Sequence, residues 1–384
     1  MIRSNFTFLI YFICTQGVSF ISNIIPKIDN KVLFFSSPDY SDNAKYIYEK
    51  MIELKLNKKL DLVWVVHSRA KGNFVRRRSL KYCFHILTAK YIIATHGVPY
   101  WKSRNQIAIF TEHGLPFKAS GYLSKMPLRR RLSLHNTSKK TNYLLSTSRF
   151  HSFLLAAIYR VNLDKILITG FPRQDGLFSK NAQEMAKKIG VNKDKFSKII
   201  LYVPTFRDWS SDDLASVVLT NDKLLNYLQE MNVLLVYKPH KNVIVDGSLY
   251  DFNHPNVMIL KNMNLIDNEL HLYEFFSVFD LVITDYSSIF YESSLIDVPI
   301  IFYMPDIHAY SMNRGFLFNP KKWLPGHITK NLDELLSVLN EVFKSDPYKQ
   351  KRIRMKELMF DKQKNCSLNV ITAIFHKYLR GSLK

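Results

Sequence analysis

Cysteine is scarce in this sequence. Its three cysteines, Cys14, Cys83 and Cys366, lie far apart in a chain of 384 residues. An odd number of widely separated cysteines excludes a disulfide framework, and the lack of a CxxC pair excludes a zinc knuckle. We therefore expect a reducing, cytosolic setting. The sequence also lacks a repeat of fixed period, and 47% of its residues are hydrophobic, which is enough to form sizeable cores.

Acidic residues are also few. Against 54 Lys and Arg there are 32 Asp and Glu, so the net charge is +22. This excess predicts an anionic partner: nucleic acid, an acidic membrane surface or a phosphate-rich substrate. Because no helix-turn-helix, RRM or zinc motif is present, we do not predict nucleic-acid binding. The arginine triplets at 76–78 and 129–131 adjoin apolar residues, which suits contact with anionic lipid, and a solvated helix face is the alternative.

Charge is absent from residues 4–26, which are rich in Phe, Ile, Leu and Tyr. The stretch is long enough to span a bilayer, but Thr, Ser, Gln and Asn residues interrupt it, and it lacks the pattern of a cleavable signal peptide. An interfacial helix in the headgroup region fits best. A helix packed on the first domain and a membrane span are the alternatives.

Beyond residue 31, short apolar runs alternate with helix-like segments, a pattern that predicts parallel, doubly wound α/β sheets. The first series comprises residues 32–35, 62–66, 91–94 and 107–110, and the second comprises 199–203, 233–236, 281–283 and 300–302. The lysine-rich segment 179–198 separates the two series. Two α/β domains of similar size with a cleft between them are the simplest architecture.

A histidine and a glycine, His113 and Gly114, follow the run 107–110. Ligands of open parallel sheets bind beyond the carboxyl ends of strands. An imidazole at a sharp turn there suits proton abstraction near neutral pH. A turn histidine with a buried hydrogen bond is the alternative interpretation.

Cationic residues follow two strands of the second series. Arg207 comes after the run 199–203 and has the planar fork that suits a phosphate, although an ordinary surface salt bridge is the alternative. Lys238 and His240 follow the run 233–236.

The sharpest local pattern is the apolar run 281–283 leading into Thr284-Asp285-Tyr286-Ser287-Ser288 and then a helix. We expect Ser287 and Ser288 at the N-cap and in the first turn, where backbone N–H groups attract anions. A capping motif without ligand is the alternative.

Six motifs occur in a fixed order and together resemble the CDP-glycerol glycerophosphotransferase family of teichoic-acid primases and polymerases over nearly the whole chain. The six motifs are His113-Gly114-x-Pro116-x-Lys118, Gly170-x-Pro172-Arg173-x-Asp175, Pro204-Thr205-Phe206-Arg207, Lys238-Pro239-His240, Thr284-Asp285-Tyr286-Ser287-Ser288 and Arg314-Gly315-Phe316. The first and the fifth of them are the motifs specific to the family.

The resemblance implies a GT-B fold with two Rossmann-like domains facing a central cleft. We expect a membrane-associating helix at 1–30, an acceptor domain at 31–180, a CDP-donor domain at 181–345 and a helical tail at 346–384. The implied reaction transfers a polyol phosphate, glycerol phosphate foremost, from CDP-glycerol or CDP-ribitol to a hydroxyl of a lipid-linked polyol-phosphate or glycan acceptor. CMP is released, and the product is teichoic acid or a teichoic-like capsule. Neither a cofactor nor a catalytic metal is expected, and the expected place is peripheral (monotopic), on the cytoplasmic face of an anionic membrane.

By the same resemblance, His113 is the general base, and His240 contacts or protonates the phosphate bridge. The residues expected to hold the pyrophosphate are Arg207, Ser287, Ser288 and Arg314. The other expected substrate-binding residues are Lys118, Arg173, Thr205, Lys238, Thr284, Asp285, Glu292 and Gly315.

Three positions depart from the family pattern. Glu112 stands where the family usually has Trp, Glu292 where it usually has Asp, and Lys241 where it usually has Pro. The Glu112 carboxylate is expected either to raise the pKa of His113 or orient it, or to face solvent. Glu292 motivates the alternative function, a GT-B nucleotide-sugar glycosyltransferase of surface polysaccharide.

Overall fold

The computed structural model describes residues 2–67, 73–205, 207, 214–240, 252–268 and 270–379. The chain forms two compact units. The first unit comprises Met1–Gly114, Ser120–Asp175 and Met359–Lys384, and the second comprises Leu115–Ala119 and Gly176–Leu358.

The first unit is built on a parallel sheet with strand order β3-β2-β1-β4-β5-β6-β7. Its strands are β1 (Ile28–Phe35), β2 (Asp61–Val66), β3 (Phe74–Arg76), β4 (Ala89–Ala94), β5 (Ile107–Phe110), β6 (Tyr143–Ser146) and β7 (Ile166–Ile168). The helices are α1 (Ile2–Ile24), α2 (Asp42–Glu53), α3 (Leu80–Thr88), α4 (Leu128–Lys140) and α5 (Arg149–Tyr159). Apolar residues of the central strands are fully buried, as expected when helices cover both faces of a parallel sheet.

The second unit repeats this design with strand order β10-β9-β8-β11-β12-β13, again all parallel. Its strands are β8 (Lys198–Val203), β9 (Val233–Tyr237), β10 (Val257–Ile259), β11 (Leu281–Thr284), β12 (Ile300–Tyr303) and β13 (His327–Thr329). The helices are α6 (Ala182–Lys188), α7 (Leu214–Leu219), α8 (Asp222–Glu230), α9 (Asn262–Asp267), α10 (Ile289–Leu295), α11 (Ile307–Asn313), α12 (Pro320–Trp323), α13 (Leu332–Val342) and α14 (Lys349–Met359). The predicted α/β chain with two parallel sheets is confirmed.

The last helix, α15 (Cys366–Leu379), belongs to the first unit. The Asp175 carboxylate accepts hydrogen bonds from the backbone N–H groups of Cys366 and Ser367, at 2.8 and 2.9 Å. Asp175 thus caps the start of α15, where unpaired N–H groups favour an anion. Residues 349–358 of α14 belong to the second unit and α15 belongs to the first, and the domain boundaries expected from the sequence stay predictions.

Helix α1 packs on the first unit through polar side chains. Ser19 Oγ donates to the Lys102 carbonyl oxygen at 2.8 Å and accepts from Lys140 Nζ at 3.3 Å. Asn23 Oδ1 accepts from the backbone N–H of Arg104 at 2.8 Å. Across the described part of the chain, no helix combines the length and apolar character needed to cross a membrane.

Candidate active site

The loop after β5 carries a carboxylate and an imidazole on consecutive residues, Glu112 and His113. Glu112 is buried, whereas 50% of the His113 side chain is exposed. Glu112 Oε2 accepts the His113 backbone N–H at 2.8 Å and lies 3.2 Å from His113 Nδ1. Because an ionised carboxylate can only accept, the Nδ1 proton belongs on this side of the ring, which leaves the Nε2 lone pair to bind a proton.

Two more rings restrain this pair. The hydroxyl of Tyr159, on α5, donates to Glu112 Oε1. The His96 ring, which follows β4, stacks on the His113 ring with 4.4 Å between centroids and 14° between planes. Glu112 itself has a φ of 56°, a left-handed conformation that is uncommon for a residue with a long side chain. Backbone and side chains together hold the His113 imidazole in one orientation.

The pKa values of the pair reflect their mutual attraction. Burial is the largest single effect and by itself lowers the pKa of His113 and raises that of Glu112, but the charges and hydrogen bonds around each group together outweigh burial in both cases. The pKa of His113 is therefore above its ordinary value and that of Glu112 below it. Asp42 also raises the pKa of His113, and Arg173 lowers it. The site stabilises the form of His113 that has accepted a proton.

Buried side chains brace the His113 loop from beneath. Asn43 on α2 is fully buried, and its Nδ2 donates to two consecutive carbonyl oxygens of the loop, both at 2.9 Å. Its Oδ1 accepts the backbone N–H of Arg173 at 3.1 Å. Arg173 Nη1 in turn donates to the His113 carbonyl oxygen at 2.6 Å and to Asp42 Oδ1 at 3.2 Å. Arg173 is buried and supports the loop, and its contact with substrate stays a prediction.

In the second unit, Arg207 is surrounded by acceptors. Its Nε and Nη2 donate to the two oxygens of Asp306, each at 3.0 Å. Its Nη1 donates to Asp285 Oδ2 and to the Thr205 carbonyl oxygen, and the Thr205 backbone N–H donates to Asp285 Oδ1 at 2.9 Å. Arg207 therefore joins the loops that follow β8, β11 and β12. Its predicted contact with the pyrophosphate, and that of Thr205 and Asp285 with substrate, stay predictions.

A pair of tyrosines completes this cluster. The rings of Tyr286 and Tyr310 stack with centroids 3.6 Å apart, and the guanidinium of Arg207 lies 5.2 Å from the Tyr286 centroid. The Tyr286 hydroxyl donates to Asp306 Oδ1 at 2.9 Å. Burial raises the pKa of Asp306, but the hydrogen bonds and charge of Arg207 bring it below its ordinary value. The Asp306 carboxylate is thus held ionised.

The Thr-Asp-Tyr-Ser-Ser motif separates into buried and accessible members. Ser288 is the N-cap of α10 without a capping hydrogen bond from its side chain, and Ser287 precedes it; both are partly exposed. Thr284 and Glu292 are buried, and Thr284 Oγ1 donates to a carbonyl oxygen of β8 at 2.8 Å. In this motif the two serines thus offer accessible hydroxyls, whereas substrate contact by Thr284 and Glu292 stays a prediction.

Lys118 lies beside the turn formed by Arg314 and Gly315. The backbone N–H of Ala119 donates to the Gly315 carbonyl oxygen at 3.1 Å, and Gly315 has a φ of 71°, which suits a residue without a side chain. Burial lowers the pKa of Lys118, and Arg314 lowers it further, against the opposing effect of Asp285. These residues bring cations together, as expected for a site that receives an anion.

Lys238 and His240 follow β9. Lys238 Nζ donates to Asn262 Oδ1 and, at 3.3 Å, to the Pro239 carbonyl oxygen. Burial lowers the pKa of Lys238 to about 8, so the amine is charged at neutral pH and titrates just above it. His240 is partly buried. Lys241, one of the departures from the family pattern, lies outside the described residues.

The two sets of residues offer different chemistry. The first unit supplies a proton acceptor, His113, and the second supplies cations and hydroxyls suited to phosphate oxygens. Among the residues that the structure describes, no group of three or more His, Cys, Asp or Glu side chains could hold a metal ion.

Comparison with known proteins then assigns the chain. Residues 18–376 match the family described as CDP-Glycerol:Poly(glycerophosphate) glycerophosphotransferase. The chain belongs to this family. Membership confirms the resemblance found in the sequence and makes the protein a member of a transferase family.

Two relatives and one solved protein illustrate the match. The chain is 28% identical to a teichoic acid poly(glycerol phosphate) polymerase of Bacillus spizizenii over 86% of this chain and 87% of the relative. It is 27% identical to a teichoic acid glycerol-phosphate transferase of Staphylococcus aureus, over 90% and 91%. The structure of the wall teichoic acid polymerase TagF superposes with a TM-score of 0.77 at 24% identity, covering 100% of this chain and 98% of that one. TagF has also been solved with CDPG.

Several supporting residues of this glycerophosphotransferase were not expected from its sequence. They are His96, Asn43 and Tyr159 around His113, and Asp306 and Tyr310 around Arg207. Asp306 follows the end of β12, and His96 follows the end of β4. Because ligands of parallel sheets bind beyond the carboxyl ends of the strands, the reasoning that predicted His113 also points to these two residues. Asn43 and Tyr159 lie on helices far from the loop in sequence, and no local pattern marks them.

Proposed function

We propose that this glycerophosphotransferase transfers glycerol phosphate from CDP-glycerol to a hydroxyl of a lipid-linked polyol-phosphate or glycan acceptor, releasing CMP, in teichoic acid or teichoic-like capsule synthesis. The observation that carries the proposal is the half-exposed His113 imidazole, whose Nδ1 faces the buried Glu112 carboxylate, in a chain of this family. Such an imidazole is a suitable general base. The GT-B arrangement predicted from the sequence is part of the proposal.

In the proposed reaction, His113 Nε2 removes the proton of the acceptor hydroxyl as its oxygen attacks the phosphorus next to the glycerol. A new P–O bond forms, the P–O bond to CMP breaks, and its electron pair leaves with CMP. His240 is assigned to the phosphate bridge, where a proton or hydrogen bond eases this departure.

The phosphate oxygens gain charge in the transition state, and cations and hydroxyls fixed in advance stabilise them. The candidates in the second unit are Lys118, Arg314, Ser287 and Ser288, with Lys238 as a further cation. Arg207 takes part by holding the strand-end loops together through Asp285 and Asp306.

The test measures CMP release from CDP-glycerol and from CDP-ribitol with an oligomeric or lipid-linked polyol-phosphate acceptor. We expect CMP with CDP-glycerol, and a loss of about 10²-fold or more in kcat for His113→Ala. His308→Ala, which changes a histidine of α11 outside the proposed roles, serves as the matched control. Release of UDP or GDP from nucleotide sugars, without CMP from either CDP donor, would instead support the glycosyltransferase alternative.

The proposal extends to the membrane, because α1 has its polar side turned toward the protein. Ile13, Phe20, Ile21 and Ile24 are 54–75% exposed. Residues 13, 17, 20 and 24 recur at helical spacing and form one outer face. Apolar side chains facing outward while Ser19 and Asn23 face inward suit a helix that lies in the headgroup region of a bilayer.

Features near α1 support contact with an anionic bilayer, and we propose its cytoplasmic face as the place of attachment. Helix α3 packs against α1 and exposes Leu80 (90%) and Phe84. The exposed arginines 76–78 precede α3 directly. Each basic residue close to an anionic surface contributes about 1 kcal/mol of binding. Together these features support peripheral attachment through α1 and α3.

Vesicle sedimentation tests this attachment. We expect the protein to bind phosphatidylglycerol vesicles, with weaker binding to phosphatidylcholine vesicles. Changing Ile13, Phe20 and Ile24 together to Ser should reduce binding to both, and changing arginines 76–78 to Gln should reduce only the preference for anionic lipid. Met231→Ser, an exposed apolar residue of the second unit, is the control. Unchanged binding of the triple Ser variant would contradict the role of α1.

A further inference from the structure

The strongest unassigned feature is the buried Glu112 carboxylate beside His113. In the sequence, Glu112 directly precedes His113. Its carboxylate is buried although its neighbour in sequence is half exposed. A buried carboxylate is costly unless each oxygen has a partner, so its contacts indicate why the fold retains it.

Both oxygens of Glu112 are used. Oε2 receives the His113 backbone N–H at 2.8 Å and faces His113 Nδ1 at 3.2 Å. Oε1 receives the hydroxyl of Tyr159. The carboxylate therefore cannot rotate away from the imidazole without breaking bonds to a backbone group and to a side chain on α5. The backbone at Glu112 has a left-handed φ of 56°.

We infer that Glu112 is a positioning residue for the transfer reaction: its carboxylate fixes the Nδ1–H tautomer of His113, so that Nε2 faces the acceptor hydroxyl as the base, and stabilises the imidazolium that proton removal creates. Tyr159 anchors the carboxylate in this role. The inference rests on the proposed function of His113. The proton moves from the acceptor oxygen to Nε2, and the carboxylate remains ionised throughout.

Other charged and titratable groups lie near His113 and Glu112 and affect the pair in different ways. Asp42, from α2, raises its pKa and Arg173, from the loop after β7, lowers it. His96, after β4, stacks on the ring. His151, on α5, is fully buried, and burial lowers its pKa to about 3, so at neutral pH it adds no positive charge beside Glu112. Glu112 contributes the largest upward effect on His113.

The pH dependence of kcat/KM for CMP release tests the inference with Glu112→Gln, which keeps the shape and removes the charge. In the wild type, activity rises as His113 loses its resting proton, with a midpoint above the ordinary histidine value of about 6.5. We expect Glu112→Gln to shift this midpoint to lower pH, because the neutral amide no longer stabilises the imidazolium. We also expect it to lower kcat by about 10-fold or more with little change in KM.

Two variants separate charge from packing. Glu112→Asp retains a carboxylate and is expected to keep the midpoint above that of Glu112→Gln. Tyr159→Phe retains the Glu112 charge and should leave the midpoint unchanged while lowering kcat a few-fold. A wild-type midpoint in Glu112→Gln would overturn the inference, as would equal losses in Glu112→Gln and Glu112→Asp with no shift.

A measurement that needs no turnover keeps the two hypotheses distinguishable. The Cε1–H resonance of His113, assigned by its loss in His113→Ala, is titrated by NMR in the wild type and in Glu112→Gln. A lower pKa in the variant supports the Glu112–His113 pair even if no CDP donor is turned over, in which case the proposed function alone fails. CMP release with identical titration curves would overturn the role of Glu112 and leave the proposed function standing.

Discussion

Arg207 and Asp306, which are separated by almost a hundred residues in sequence, form a two-pronged ion pair in which both N–O distances are 3.0 Å. The guanidinium is buried and also bonds to Asp285. This arrangement makes Arg207 a link between strand-end loops. Arginine is a residue type that suits phosphate binding. In this structure, Arg207 supports the loops that carry Ser287 and Ser288.

Asp306→Asn should destabilise the second unit. The substitution leaves the buried Arg207 charge with less compensation, so we expect a loss of about 3 kcal/mol in the free energy of unfolding. Chemical denaturation followed by fluorescence measures it. Lys223→Gln, which removes an exposed ion pair with Asp333, should have no measurable effect, and equal losses in the two variants would contradict the prediction.

We expect acid to lower the free energy of unfolding by protonating the Asp306 carboxylate. The folded-state pKa of Asp306 is lowered, so its contribution is present above the unfolded pKa of about 3.9 and is lost as pH falls through the folded value. We therefore expect the free energy of unfolding to fall below about pH 4, with a smaller fall in Asp306→Asn. Parallel curves for both proteins would show that Asp306 carries none of the acid sensitivity.

Asn43→Ala should impair both stability and activity. The change removes the hydrogen bonds that the Asn43 amide donates to two buried carbonyl oxygens of the His113 loop and the one that it accepts from the backbone N–H of Arg173, at a cost of about 2 kcal/mol or more. Thermal unfolding and CMP release measure the two effects. Asn340→Ala, which removes an exposed bond on α13, is the control, and wild-type activity in Asn43→Ala would show that the loop does not need this brace.

Asp175→Ala should loosen α15. Loss of the hydrogen bonds from Cys366 and Ser367 removes the cap of the helix, at about 1 kcal/mol. We expect faster proteolytic removal of the C-terminal helix, detected by mass spectrometry. Asn331→Ala removes a comparable cap from α13 in the second unit and should not expose α15, so equal release from both variants would contradict the assignment.

We expect binding of the CDP donor to weaken at alkaline pH as Lys238 loses its charge. Its pKa is lowered to about 8 by burial, so its positive charge is present below that pH and is lost above it. If it binds the CDP donor, the KM for CDP-glycerol rises as pH passes through about 8. Lys238→Arg keeps the charge and should abolish the rise, and Lys238→Gln should give a high KM throughout. The same profile in all three proteins would exclude Lys238 from the donor site.

The sequence predicts the central strands well and the short ones poorly. The runs 32–35, 107–110 and 281–283 lie within β1, β5 and β11, because strands covered on both faces are apolar throughout. The three-residue strands β3, β7, β10 and β13 and the four-residue β6 were not expected. The three-residue strands lie at the edges of the two sheets, and so few residues carry little signal of their own. Length does not explain β6, which is as long as the predicted β5.

By itself, the sequence determined the α/β class, the family and the strand-end position of His113, Lys238, Ser287 and Ser288, because a buried strand followed by polar residues is a local pattern. Tertiary structure alone decided which of these side chains are accessible. It buried Thr284 and Arg173, paired Arg207 with Asp306 and turned the polar side of α1 inward. It also brought Asn43 and Tyr159 from two helices to the His113 loop. These contacts join residues that are distant in sequence. They form because polar groups in the low-dielectric interior need hydrogen-bond partners, and no local sequence pattern encodes which partners they find.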